Sequence, residues 1–254
     1  MIPKIIHYCW FGHNPKPKLA KKCIKSWKKY CPDYKIIEWN EDNFDLSSAP
    51  LYVRQAYEAK KWAFVTDYVR LWAMFSYGGI YMDTDVEIIK PIDRLLNHNA
   101  FSGFEDETHI QTGIMACEKN FSLFDELLHH YDAIPFLNRD GSMNMTTNVE
   151  IITDICAKKG FEPNGKFQII DGFALYPSDY FCPLSARDWK IHLTDNTYAI
   201  HHFAGSWLPD NLVKSRRAHR RELRWDPIIH FPNRALRKIL GDEKYEKLKH
   251  TLKG

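Results

Sequence analysis

No uninterrupted run of about eighteen apolar residues occurs in this 254-residue chain, so nothing in it is expected to span a membrane. Paired cysteines are missing as well. The six present (Cys9, Cys23, Cys31, Cys117, Cys156 and Cys182) stand apart, with no CxxC or zinc-ligand spacing. In a chain of this size they read as reduced, buried thiols, which favours a cytosolic compartment. Met1-Ile2-Pro3-Lys4 leads straight into an apolar stretch too short and wrongly flanked for a signal peptide. Strong charge imbalance is lacking too, and a net charge of +3 is too small to argue for nucleic acid. Neither an internal repeat nor a low-complexity segment is found.

What is present suits one large domain with a terminal appendage, long enough to bury a core without disulfides or metal staples. Hydrophobic residues make up 44% and aromatics 14%, the latter enough for bulky packing and stacking surfaces. Periodicity predicts a strand over residues 4–10 and a helix over 18–30, in which Leu19, Cys23, Trp27 and Tyr30 share a face. A strand over 34–39 and a helix over 50–61 follow. Alternating strands and helices imply an α/β domain with a mixed, mostly parallel sheet, whose ligands bind beyond the C-terminal strand ends. Trp10 falls at such an end, where it serves either as a rim core residue or as a ring for a nucleotide base.

The central stretch is Trp62 to Pro91. A helical pattern (Phe64, Tyr68, Leu71, Trp72, Phe75) breaks at Tyr77-Gly78-Gly79, and Ile80-Tyr81-Met82 then reads as a short strand. Asp83 and Asp85 follow. On extended backbone, residues two apart point to one side at about 3.3 Å per residue, so both carboxylates face one space. Their mutual repulsion is relieved by a divalent cation with oxygen ligands, which can also grip a diphosphate. Asp67 and Arg70 share a helix face in apolar surroundings, where unpaired charge is costly. They fit sugar hydroxyls and phosphate or sugar oxygens respectively.

Farther on, strands are expected over 86–89, 100–105 and 109–116, the last two joined by the acidic turn Glu105-Asp106-Glu107 and the last broken by Gln111-Thr112-Gly113. A helix over 121–131 precedes a long loop at 135–145, of a length that is more often functional than accidental. The helix that follows is capped by Thr147 or Asn148. The last strand, 197–203, runs into His201-His202-Phe203-Ala204-Gly205-Ser206-Trp207. Residues 213–254 form a basic, apolar extension expected to be helical, which fits either an anionic bilayer surface or a solvated face packed on a domain of residues 1–212.

Asp67-Tyr68-x-Arg70 followed by Tyr77-Gly78-Gly79-Ile80-Tyr81-x-Asp83-x-Asp85 resembles the sugar-binding DxD region of family 32 glycosyltransferases. It is similar, more distantly, to that of the large clostridial glucosylating toxins. Residues 5–12 resemble the first strand of these enzymes, and His202-x-x-Gly205-Ser206-Trp207 is similar to the C-terminal metal motif of related retaining transferases. The resemblance implies a GT-A fold, a nucleotide-sugar donor, Mn²⁺ or Mg²⁺, and retention at the anomeric carbon. It puts Trp10 on the base, Asp67 and Arg70 on the donor sugar, and Tyr81, Gly205, Ser206 and Trp207 in the donor site. It puts Asp83 on the ribose, sugar and metal, and Asp85 on the metal. His202 fills the position of the metal-ligand histidine, with His201 the adjacent alternative.

These features together lead to the expectation of a metal-dependent hexosyltransferase working from a UDP-sugar, with galactose or glucose favoured. The acceptor is a glycan or lipid-linked saccharide in bacterial capsule synthesis, met at the inner face of the plasma membrane. A mannosyl- or N-acetylhexosaminyltransferase and a metal-dependent nucleotide-sugar hydrolase are the alternatives. Glu105 or Asp106 is positioned to touch the acceptor. Thr112, Thr146, Thr147 and Asn148 are the candidates for discriminating the sugar.

Overall fold

The computed structural model describes residues 1–185 and 188–205, and residues 1–185 with 190–205 form one compact unit. Ser206, Trp207 and the extension expected over 213–254 lie outside the described residues. No helix among the described residues is long and apolar enough to cross a membrane.

Chain order gives β1 (Ile5–Cys9), α1 (Lys18–Tyr30), β2 (Lys35–Trp39), α2 (Leu51–Glu58), α3 (Trp62–Tyr77), β3 (Gly79–Met82) and β4 (Val86–Ile88). Then follow β5 (Ala100–Gly103), β6 (Ile114–Cys117), α4 (Ser122–Asp132), α5 (Asn148–Ala157), β7 (Gln168–Ile170), β8 (Phe173–Tyr176) and β9 (Ala199–His201). Seven strands make one sheet in the order β2-β1-β3-β6-β5-β8-β7, and β4 pairs only with β9. β2, β1 and β3 are parallel, β6 opposes both its neighbours, β5 and β8 are parallel, and β7 opposes β8. Five strands therefore point one way and two the other, the mixed and mostly parallel α/β sheet that the alternating pattern implies.

Each face of the sheet carries its own core. One holds Tyr81, Phe104 and Met115 against apolar residues of α2, α3, α4 and α5. The other holds Ile80, Met82, Phe101 and Ile114 against Cys23 and Trp27 of α1 and against Val86, Ile88 and Ala199 of the small sheet. Ala20, Cys23 and Trp27 of α1 recur at helical spacing and are buried, while the lysines take the solvent side. Trp27 adds a polar anchor, because its Nε1 donates to the Val86 carbonyl at 2.8 Å. That bond fixes β4, and with it the turn before it, against α1.

Two glycines set where α3 gives way to β3. Gly78 ends the helix at φ 65°, and a Cβ there would stand 2.6 Å from the Lys119 nitrogen. Gly79 has φ 110°, and its Cβ would stand 2.6 Å from the Ile5 carbonyl oxygen. A side chain at either position would force β3 away from β1 or the loop after β6, so the pair is required by close approach and by backbone angle together.

Three local expectations are corrected. The chain does not run extended through the two aspartates, because Val86 N–H donates back to the Asp83 carbonyl at 2.9 Å and closes a tight turn. β4 consequently leaves the main sheet and pairs with β9 instead. The strand expected over 109–116 is shortened to Ile114–Cys117, because the buried Gln111 side chain both donates to the Ile114 carbonyl and accepts from its N–H. Those bonds replace ladder bonds and hold residues 111–113 as a bend.

Candidate active site

The turn at Asp83–Val86 lies beyond the C-terminal end of β3, flanked by the ends of β1 and β6. Asp83 N–H donates to the Gly113 carbonyl at 2.7 Å, which ties the turn to the bend before β6. Asp83, Asp85 and His201 each offer one ligand atom within 4.8 Å of the others. His201 Nε2 stands 3.5 Å from Asp85 Oδ1. Space for that ring exists because residue 113 is glycine: a Cβ there would meet His201 Cε1 at 2.8 Å and Nδ1 at 2.9 Å. Phe203 stacks on the same ring with centroids 4.0 Å apart.

Strand register settles the choice between the adjacent histidines. His201 pairs with Val86 and turns toward the aspartates. His202, one residue on, points away and bonds Glu87 Oε2 at 2.9 Å, where Lys22 also bonds. Successive residues on extended backbone face opposite sides, so both cannot join one cluster. The expectation that put His202 at the cation is therefore corrected to His201.

A second layer fixes the aspartates from α3. Arg70, almost fully buried, reaches Asp67 Oδ1 at 3.1 Å and Asp83 Oδ1 at 3.3 Å with one nitrogen, and donates to the Thr112 carbonyl at 2.9 Å with another. Its guanidinium lies 4.6 Å from the centroid of the Tyr81 ring, and the Tyr81 hydroxyl donates to Asp83 Oδ1 at 2.9 Å. Tyr81 itself is only 1% exposed. The structure thus places it beneath the site as a support, where the resemblance puts it in contact with the donor. Asp67 is further held by Asn148, whose side-chain nitrogen donates to the Asp67 carbonyl at 3.2 Å.

Each aspartate of the turn has one oxygen committed to the protein. Asp83 Oδ1 takes both Arg70 and Tyr81, and Asp85 Oδ2 takes the Ala204 N–H at 2.7 Å. Asp83 Oδ2 has no hydrogen bond among the described residues, and Asp85 Oδ1 faces only the histidine. Burial raises the Asp83 pKa, with Arg70 opposing it and Asp85 adding to it. Burial likewise carries Asp67 to about 6 despite Arg70. For Asp85, burial is outweighed by the charge and hydrogen bond of His201 and by the Ala204 N–H, which hold it at about 2. Burial acts to lower the His201 pKa, yet Asp85 lifts it well above the ordinary range.

A divalent cation fits these residues. Three carboxylates face one guanidinium and one imidazole, and Asp83, Asp85 and His201 each offer a ligand atom within 4.8 Å of the others. A carboxylate-rich set with a single imidazole suits Mn²⁺ or Mg²⁺ better than a thiolate-seeking ion.

Trp10 lies one residue past β1, partly exposed, with its Nε1 donating to the Asn14 carbonyl at 2.6 Å and Lys16 5.6 Å from the ring centroid. Gly205 follows the Asp85-bound Ala204 with φ 67°. Thr147 is the helix cap, its hydroxyl and N–H engaged with Glu150 in a capping box, and Asn148 is the first residue of α5. Gly113 and Phe203 were not signalled as site residues by the sequence. The polar break at residues 111–113 pointed to the right place but not to the reason for the glycine.

Residues 17–102 match the family model described as a glycosyltransferase sugar-binding region containing a DXD motif. The matched span carries Asp67, Arg70, Asp83 and Asp85 but not Trp10 or His201. Inositol phosphoceramide mannosyltransferase 3 of Schizosaccharomyces pombe is 27% identical over 139 residues, covering 53% of this chain and 38% of that one. The chain thus spans well under half the length of that relative. An uncharacterized glycosyltransferase, L373, of Acanthamoeba polyphaga mimivirus is 25% identical over 222 residues, covering 79% and 85%. Among solved structures, a glycosyltransferase involved in glycosylation of the major capsid of PBCV-1 overlaps 84% of this chain and 98% of its own at 11% identity and a TM-score of 0.44. The family model and these relatives are all of glycosyltransferases.

Proposed function

We propose that the chain is a metal-dependent glycosyltransferase of GT-A type, moving a hexose from a nucleoside diphosphate sugar to a hydroxyl of a glycan or lipid-linked acceptor. The observation that carries this reading is the cluster of Asp83, Asp85 and His201, whose ligand atoms lie within 4.8 Å of one another, backed by an Asp67–Arg70 pair on the adjoining helix. In this reading Asp85, Asp83 and His201 hold Mn²⁺ or Mg²⁺, and Asp67 and Arg70 orient the donor sugar. Trp10 stacks on the base, at the end of the strand next to β3.

The cation, when bound, supplies a Lewis acid that offsets charge developing on the departing diphosphate. Arg70 and Tyr81 lock the Asp83 carboxylate in one orientation, so little reorganisation accompanies that charge. No protein acid is then needed on the leaving group. No other carboxylate is assigned as a covalent nucleophile, so retention by front-face substitution is the stereochemical course we propose.

UDP-galactose or UDP-glucose, with a capsular acceptor, is one form of the donor assignment. Mannose is the other, and the Schizosaccharomyces pombe relative, a mannosyltransferase by name, supports it. We further propose that residues 213–254 bring the enzyme to the anionic cytoplasmic face of a membrane, on the strength of their basic, apolar composition. Unchanged sedimentation with anionic liposomes after removal of these residues would reject that role. The donor is tested with a panel of UDP- and GDP-sugars in Mn²⁺, read by thermal shift and by release of free sugar. One donor is expected to stabilise the chain and to turn over, with both effects abolished by Asp85→Asn. Full turnover in excess EDTA would reject the metal-dependent reading, and rates indifferent to every glycan would point to a hydrolase instead.

A further inference from the structure

We infer that Glu105 is the acceptor-binding carboxylate of this site, receiving hydrogen bonds from hydroxyls of a polyol acceptor such as a sugar or an inositol. The inference rests on the glycosyltransferase reading above and deepens it. β5 ends at Gly103, but its extended backbone continues, because Phe104 bridges Ile110 and Glu105 N–H donates to the His109 carbonyl at 2.8 Å. Pairing therefore reaches Glu105, where the backbone bends. Phe101 packs in the core beside the small sheet and Phe104 in the core beside α3, so alternation places Gly103 on the Phe101 side.

That side leads to the cation cluster. A Cβ on Gly103 would touch the Phe181 ring at 2.9 Å, and the Phe181 carbonyl accepts from His201 N–H at 2.9 Å. Glu105 thus emerges next to the Phe181–Cys182 segment that carries His201. Its electrostatic surroundings agree: His201, Asp106, His109 and Asp83 are the charged groups acting on it.

The second observation is what the carboxylate does not have. Among the described residues, Glu105 makes no side-chain hydrogen bond or ion pair, although it is half-buried. Two other acids are engaged within the protein. Asp106 accepts from the N–H groups of Thr108 and His109 and stitches its own turn, and Glu87 is shared by Lys22 and His202. The Glu105 oxygens are open to solvent and uncommitted to the protein, so they can accept hydrogen bonds from ligand hydroxyls. Of the three acids in this turn, Asp106 is consumed by the loop, Glu107 stands exposed to solvent, and the half-buried Glu105 is left for the substrate.

Topology selects the acceptor over the donor. Across the sheet β3 stands between β1 and β6, and β5 lies beyond β6. The proposed base site at Trp10 is at the β1 end, so Glu105 lies on the other side of Asp83. Asp67 and Arg70, the proposed donor-sugar contacts, come from α3 on the opposite face. A molecule reaching Glu105 therefore enters from the side that the nucleotide leaves open.

The test compares the unmodified chain with Glu105→Ala and Glu105→Gln in Mn²⁺, with GDP-mannose and UDP-galactose as donors. Octyl β-galactoside, octyl α-mannoside and inositol phosphoceramide in mixed micelles are the acceptor probes. Glu105→Ala is expected to raise the acceptor KM and lower the ratio of transfer to donor hydrolysis by about 10- to 100-fold, the span expected for a hydrogen bond to a charged group. Glu105→Gln, which keeps one acceptor oxygen, is expected to fall between. Affinity for the nucleoside diphosphate in Mn²⁺, measured by calorimetry, reports whether each variant keeps its donor site. An unchanged ratio in both variants overturns the inference, as does a parallel loss of nucleotide affinity, which would put Glu105 in the donor site. Donor hydrolysis by the unmodified chain with no transfer to any of the three probes overturns it as well. Failure of the unmodified chain to bind any nucleotide sugar is a different result, since it rejects the glycosyltransferase reading itself.

Discussion

Replacing Gly113 by alanine isolates the geometry of the proposed cation site from its chemistry, because no ligand is removed. The added Cβ would stand 2.8 Å from His201 Cε1, whereas ordinary contact begins at 3.4 Å, so the ring must retreat by about 0.6 Å or more. Phe203, stacked on the ring 4.0 Å away centroid to centroid, restricts how far it can shift. The backbone angle at 113 is not in the left-handed region, so alanine adds no strain of its own. Metal–ligand distances tolerate about 0.2 Å, and disturbing the groups that orient a ligand costs about 10- to 100-fold in metal affinity. The expected result is that Gly113→Ala weakens Mn²⁺ binding by that factor, measured by calorimetry with UDP or GDP present. Its metal-free unfolding midpoint should stay within a few degrees of the parent value. Parental Mn²⁺ affinity in this variant would refute the placement of His201 at the cation. Loss of affinity in His202→Ala, with His201→Ala unaffected, would refute the register argument as well.

Removing Arg70 should damage stability and activity together: Arg70→Met leaves Asp67 and Asp83 as unpaired buried carboxylates, a loss of about 3–5 kcal/mol by urea denaturation. Arg70→Lys keeps the charge but not the fork that also bonds Thr112, and is expected to lose donor turnover even where it folds. Thr147→Ala removes the hydroxyl half of the α5 capping box, leaving its N–H bonded to Glu150, and should cost about 1 kcal/mol, seen as a lowered midpoint of thermal unfolding with unchanged donor selectivity. Altered selectivity there would restore Thr147 as a sugar contact. Buried His7 donates from Nε2 to the Gly78 carbonyl and accepts from Trp39 at Nδ1, and burial depresses its pKa from 6.5 to about 4. Its contribution is present above pH 6.5 and lost as pH falls toward 4, about 3 kcal/mol in all. His7→Gln should flatten stability over that window, and an unflattened profile would assign the acid sensitivity elsewhere.

How far the sequence could be read depended on how local each signal is. The helix over 18–30 is found at those residues because Cys23 and Trp27 recur on one face and the lysines on the other. Asp67, Arg70, Asp83 and Asp85 lie within nineteen positions of one another, and the break at Gly78-Gly79 announced where helix became strand. The turn joining the two aspartates was not legible, because extended backbone and a tight turn both bring residues two apart together. The histidine was not legible for a different reason. A shift of one residue in strand register exchanges His201 for His202, and that register is set by the pairing of β9 with β4, more than a hundred residues earlier. Gly113 depended on knowing what ring would fill the space above it.

The oxygen assignments also explain why one arginine serves two aspartates. Asp67 and Asp83 both use Oδ1 toward Arg70, so a single buried positive charge is shared and the pair remains net negative. A second buried cation from the protein would have completed the neutralisation and removed the need for a ligand. The residue that stands opposite, His201, is one whose charge can be exchanged: it pairs with Asp85 as a cation, whereas on the proposed reading it would bind metal as a neutral ring. The Arg70 side is thus fixed at one charge, and the His201 side is left variable. Asp83 sits between them, with Oδ1 committed to the internal clamp and Oδ2 without a hydrogen bond among the described residues. On this argument Asp83→Asn and Asp85→Asn differ in kind. The first should lower both stability and Mn²⁺ affinity, since it weakens the clamp, whereas the second should abolish Mn²⁺ binding and leave the Arg70 network intact. Calorimetry and urea denaturation of the two variants side by side separate these outcomes, and equal losses of stability would show that the two oxygens of Asp83 do not have separate duties.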